Sequence, residues 1–162
     1  MKTKLIPAFL LAAACLLVGG CNYEFPLTER PTQKIDPRLL GDWVSVGPKD
    51  EKPARMKVRE LDASTYILTF DEDLYRVTHS DFAGQPFVSA QNLDADNRKY
   101  VYLVWLLSPA GDHLTIKAVN SRVIPEKTKD REAMQSLIKA SLAKPDLFGD
   151  PLEFIRPKAA KN

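Results

Sequence analysis

Cysteine is nearly absent from this chain of 162 residues: only Cys15 and Cys21 occur. Nothing after Cys21 can supply a thiol, so the bulk of the chain has neither a disulfide framework nor a cysteine-based metal site. An excess of charge of one sign is lacking too. The formal net charge is +2, but Lys2 and Lys4 are the only charges in the first twenty residues. Without them, 21 basic and 21 acidic side chains remain. The pI near 8.5 therefore comes largely from the amino-terminal head. The neutral remainder has no electrostatic footprint for nucleic acid. After Val18 no apolar run approaches the roughly 20 residues that a membrane-crossing helix needs. Catalytic motifs are missing as well. There is no His-Glu-x-x-His zinc helix, Gly-x-Ser-x-Gly elbow, P-loop or Gly-x-Gly-x-x-Gly. These absences point away from an enzyme, and no cofactor or metal is expected.

What is present begins with an export signal over 1–20. Met1 to Lys4 form a basic head, and Leu5 to Val18 an apolar stretch of signal-peptide length, too short to span stably. The run Val18-Gly19-Gly20-Cys21 is an aliphatic residue and two small ones before cysteine, and it resembles the bacterial lipobox. The resemblance implies cleavage before Cys21, a thioether-linked diacylglycerol on it and usually a third acyl chain on its amine. Each buried CH₂ contributes roughly 0.8 kcal/mol, so two or more chains anchor stably. An ordinary secretory signal or an uncleaved anchor are the alternatives. Leu11 to Cys15 is a weaker cleavage site, with Ala where the aliphatic residue belongs. Asn22 stands where enteric-type sorting would need Asp for inner-membrane retention, which implies an outer-membrane lipoprotein facing the periplasm.

Residues 21–38 then read as the lipidated cysteine and a tether. Pro26, Pro31 and Pro37 disfavour a regular helix or a central strand. Sixteen such residues at about 3.1 Å each would reach about 50 Å. Tyr23, Phe25 and Leu27 alternate, which places part of this segment against the domain or the lipid surface.

From 39 to 156 short strands alternate with turn signals. Leu40–Val46, Met56–Leu61, Thr65–Phe70, Leu74–Ser80, Phe87–Leu93, Tyr100–Leu107 and His113–Val119 carry β-rich or period-2 patterns. Tyr100–Leu107 is apolar on both faces and reads as a central strand. The period then becomes helical. Met134, Leu137, Ile138 and Leu142 form a stripe within a helix over 129–144, with Thr128 or Asp130 as cap and Pro145 as stop. Leu152–Arg156 is a last short strand and 157–162 a tail. The expected class is mainly β (α+β): an antiparallel meander of about eight strands closing into a barrel or sandwich, with one carboxy-terminal helix before the last strand.

Gly41-Asp42-Trp43 on the first strand, the meander and the late helix are similar to the lipocalin or calycin barrel. In that family the tryptophan packs across one barrel end beneath an arginine from a late strand. The resemblance implies that Gly41 and Trp43 form such a barrel-end motif, with Arg122 over the ring.

Candidate chemistry is thin. His79 and His113 lie on different strands and read as strand-surface histidines unless the fold brings a ligand beside them. Asp71-Glu72-Asp73 reads as a solvated turn, without the spacing of a calcium loop. Arg76, Thr78, Ser89, Gln91 and Asn120 are either polar groups inside a ligand-binding lumen or ordinary outward-facing residues; alternation cannot choose the face. Tyr66, Phe70, Phe87, Tyr100, Tyr102 and Trp105 line such a pocket in the first case and pack the core in the second. The leading expectation is a lipid-anchored, non-enzymatic barrel that binds a small apolar or amphipathic ligand and has a cavity open at one end. The alternative is a protein-interaction module docking on an envelope complex, with an exposed apolar patch and no cavity. A hydrolase with an unfamiliar site is the third.

Overall fold

In the computed structural model, residues 23–47, 52–94 and 98–157 are described. The expected signal, the lipidation site Cys21 and most of the tail lie outside them. Eight strands run as a meander: β1 (Gly41–Ser45), β2 (Arg55–Asp62), β3 (Thr65–Phe70), β4 (Asp73–Phe82), β5 (Gln85–Asn92), β6 (Tyr100–Leu107), β7 (His113–Ala118) and β8 (Leu152–Ile155). All neighbours are antiparallel, and β1 pairs with β8 through Val44–Ile155 and Ser45–Phe154, closing the barrel. Closure removes both exposed sheet edges. The expected class is the observed one, with one α-helix among the described residues, α1 (Arg131–Ser141), between β7 and β8.

Strand parity fixes the two mouths. One, the entry mouth, carries the start of β1, the end of β8 and the β2–β3, β4–β5 and β6–β7 turns. The other, the helix mouth, carries the β1–β2, β3–β4 and β5–β6 connections and the long excursion holding α1. Alternation fixes the faces. Met56, Val58, Leu68, Tyr75, Val77, Val88, Leu103 and Trp105 belong to one buried cluster inside the barrel. A second cluster lies outside the β5–β6 wall and includes Phe87, Tyr102, Val104, Met134 and Ile138. That explains why β6 is apolar on both faces. A closed barrel has no central strand; β6 has the core on one side and a covered outer face on the other.

The cover comes from two segments. The N-cap carboxylate of Asp130 accepts the Ala133 N–H at 2.9 Å and starts α1, whose Met134 and Ile138 are fully buried. Leu137, although on the sequence stripe, is 40% exposed. The second cover is the proline-bearing segment from Tyr23 onward, which does not reach away from the domain. Tyr23 and Leu27 are fully buried. Tyr23 exchanges two backbone hydrogen bonds of 2.8 Å with Tyr100, and its ring stacks on Tyr102 with centroids 4.1 Å apart. Its hydroxyl donates to the Ile124 carbonyl at 3.0 Å. The segment then crosses β5 and β4, and Pro37–Leu39 form a 3-10 turn that puts Leu39 into the entry mouth. This strap makes the separate tether of 21–38 part of the folded unit from Tyr23 on. The alternating Tyr23, Phe25 and Leu27 already indicate such contact.

Candidate functional site

At the entry mouth the Gly-x-Trp pair behaves as its spacing suggests, but with a different partner. The Trp43 ring is fully buried and its Nε1 donates to the Leu39 carbonyl at 2.9 Å. The guanidinium over it is that of Arg156, 3.8 Å from the ring centroid. Arg156 Nη1 donates to the Leu40 carbonyl at 2.8 Å, and Nη2 donates to the Arg38 carbonyl. Gly41 has φ +109°, and a Cβ there would sit 3.0 Å from Arg156 Nη1. The positive φ favours glycine here, and a Cβ would in addition press the Arg156 guanidinium away by a few tenths of an ångström. Arg122 plays no part in this: it is exposed in the turn after β7, where its N–H donates to the Asn120 side chain. Parity is the reason. β1 and β7 run the same way, so the end of β7 lies at the mouth opposite the start of β1, whereas β8 ends beside it.

The lumen is filled. A void of about 20 Å³ remains, lined by apolar side chains including Met56, Phe70, Tyr75, Trp105 and Phe154. A ligand pocket typically needs about 300 Å³ or more. Burial pushes the Tyr75 hydroxyl up to about 12. Of the aromatic candidates, Tyr66, Phe70 and Trp105 belong to the inner cluster, while Phe87, Tyr102 and Tyr100 belong to the outer one. His79 is largely buried near Trp105, ring centroids 6.4 Å apart, and burial lowers its pKa. His79 Nε2 and Trp105 Nε1 are both buried without a hydrogen-bond partner. His113 is exposed. Among the described residues no cluster of His, Cys, Asp or Glu could hold a metal.

The polar residues considered for the lumen are not in it. Tyr75 and Val77 point into the core, so Arg76 and Thr78 face outward. Their β5 partners Gln91 and Ser89 do the same. Arg76 is exposed; Gln91 Nε2 donates to the Arg98 carbonyl at 2.8 Å. Ser89 is buried beneath the strap and accepts the Leu27 N–H at 3.1 Å. Asn120 lies past the end of β7, where its side chain donates to the Asp146 carbonyl at 3.1 Å and accepts the Arg122 N–H. Ser89, Gln91 and Asn120 thus fasten the strap and loops.

An open groove of about 520 Å³ lies on the outer wall of β1–β3. Its lining includes Asp42, Val44, Arg55, Lys57, Arg59 and Thr69. The three cations alternate along the solvent face of β2, because Met56 and Val58 between them point inward. Lys57 Nζ lies 3.4 Å from the Asp42 carboxylate. Among the described residues the only other ion pair is Arg38–Asp36, so the guanidinium groups of Arg55 and Arg59 have no ion-pair partner, while the Asp71 carboxylate, also in the groove lining, accepts the Arg55 backbone N–H at 3.0 Å. The sequence shows this alternation plainly but does not show that it borders a groove.

No family model matches this chain, and neither does any curated protein or solved structure. The groove and the closed barrel must therefore be read on their own chemistry.

Proposed function

We propose that the chain is a membrane-anchored, non-enzymatic envelope lipoprotein whose barrel serves as an interaction module, taking an acidic segment of a protein partner along β2. The observation that carries this reading is the contrast between the two concave spaces. The lumen holds about 20 Å³; the outer groove holds about 520 Å³ and presents the guanidinium groups of Arg55 and Arg59 without ion-pair partners, its acids Asp42 and Asp71 being engaged by Lys57 and by the Arg55 backbone N–H. Arginine suits such a task because its planar fork can hold a carboxylate with two parallel hydrogen bonds. The exposed large apolar residues Val46, Leu61, Leu106 and Leu137 lie on different elements, so charge rather than an apolar patch is the attractive feature of the surface. The meander, Gly41, Trp43 and the arginine across the ring support a lipocalin-like barrel, used here as a scaffold. The lipobox-like run before Cys21 supports the anchor.

The test pairs two titrations of the soluble domain. A fluorescent poly-glutamate peptide should bind at low salt, and R55E/R59E should weaken it at least tenfold without changing the circular dichroism. Palmitate should leave the emission of Trp105, which borders the void, unchanged. Saturable quenching by palmitate together with no peptide binding would replace docking by a lumen that opens for ligand.

A further inference from the structure

We propose that the bilayer holding the acyl chains of Cys21 is itself a docking surface for the barrel, which stands on it by the helix mouth. This rests on the lipoprotein reading above and goes beyond it, because an anchored domain could equally hang on a leash. The deciding observation is how soon after Cys21 the chain is fixed. Tyr23 is fully buried, paired in both backbone directions with Tyr100, stacked on Tyr102 and bonded through its hydroxyl to Ile124. Tyr100 is the first residue of β6, at the helix mouth. Covalent geometry allows a Cα–Cα span of only ~7 Å between positions 21 and 23, at about 3.6 Å per residue. Releasing the leash would mean breaking the Tyr23 contacts, including two hydrogen bonds and the burial of a large aromatic ring. The reach of about 50 Å expected for a free tether is therefore not available, and the helix mouth is held within a side-chain length of the lipid headgroups.

The described residues at that mouth carry charge of both signs, Arg55, Arg98 and Lys99 with Asp71, Glu72 and Asp94, so they give it no strong attraction for one kind of headgroup. The contact is imposed by the anchor and should be the same on neutral and anionic lipid. The turns at the two ends of β4 give a ruler. Glu72 lies at the helix mouth and Gln85, just past the β4–β5 turn, at the entry mouth; both are exposed. At roughly 3.3 Å per residue and a barrel tilt near 40°, they differ in height by about 25–30 Å.

With Cys15 cleaved off and the Cys21 thiol in thioether linkage, E72C or Q85C supplies the only free thiol of the mature lipoprotein. Each variant, labelled with an environment-sensitive fluorophore, is reconstituted in phosphatidylcholine vesicles containing a headgroup nitroxide lipid. The label at 72 should be quenched at least threefold more than the label at 85, with or without salt. The further substitution Y23A should shrink that contrast. Equal quenching at the two positions, or the reverse order, overturns the orientation while leaving the anchor intact. A mature protein whose mass shows no acyl addition at Cys21 overturns both.

Discussion

Arg156 shows how much one side chain can do at a barrel end. It lies 3.8 Å over Trp43 and donates to the carbonyls of Leu40 and Arg38, tying the end of β8 to the entrance of β1. Cation–π contacts are worth about 0.5–2 kcal/mol and hydrogen bonds from charged groups about 1.5–3 kcal/mol. R156A should therefore lower unfolding free energy in urea by roughly 2–3 kcal/mol, while R122A, at the exposed turn of the opposite mouth, should change it by less than about 0.5 kcal/mol. Equal effects would mean that the ring is not held from β8. His79 supplies a second expectation at this scale. Burial lowers its pKa and outweighs the opposing pull of the Pro86 backbone and of Asp81 and Asp36. The unfolded chain thus binds this proton more readily than the folded one. Stability is complete above the ordinary value of about 6.5 and is lost as the pH falls through the lower folded value. Asp36, Asp62 and Asp112 are held below their ordinary 3.8 by hydrogen bonds, so what they contribute is lost only in stronger acid. Midpoints in urea between pH 7 and 5 should fall for the wild type and stay nearly flat for H79Q.

The strap from Tyr23 to Asp36 is the element that changes the picture most. Its backbone has few regular partners, because prolines interrupt it, so it borrows hydroxyls on the barrel wall. Leu27 N–H donates to Ser89 Oγ, and Ser80 Oγ accepts the Thr32 N–H while sharing a 2.6 Å hydrogen bond with Thr28. S89A should cost about 1–2 kcal/mol by orphaning a buried N–H. L27A should cost about 2–5 kcal/mol, as removal of a fully buried leucine side chain does. Both would be read from the urea midpoint, and losses near zero would mean that the strap detaches in solution. Most of the barrel is legible in the sequence because its strands alternate: Thr65–Phe70 and Tyr100–Leu107 have the same limits in both. The faces are not legible, since period 2 gives two sides without saying which is inner; Arg76, Thr78, Ser89 and Gln91 turn outward. Closure decides that question, because the more apolar of the two sides must fill the lumen. The apolar outer face of β6 is the signal that something covers it, and the alternating aromatics before Leu27 are what covers it. Arg156 was missed for want of a parity argument, although meander order alone places the ends of odd and even strands at opposite mouths.

At the scale of the whole molecule these observations move the boundary of the folding unit. Composition and proline content put it at residue 39; packing puts it at Tyr23, because the outer cluster is built from both sides of that boundary. Tyr23 and Leu27 lie against Phe87, Tyr102 and Val104 from the barrel and Met134 and Ile138 from α1. Arg131 and Gln135 on α1 donate to the strap carbonyls of Pro26 and Leu27 at 3.1 and 2.8 Å. Removal of the strap would cost α1 two acceptors and its contacts with Tyr23 and Leu27, and would bare apolar side chains on β5 and β6. Exposed apolar surface of that kind drives association. A fragment spanning 39–157 should therefore self-associate on gel filtration and bind a hydrophobic dye, whereas 23–157 should elute as a monomer and unfold in one transition. If 39–157 were monomeric and as stable as the longer chain, the strap would be an accessory. The barrel could then hang freely from its anchor, and the mouth facing the bilayer would no longer be set by Tyr23.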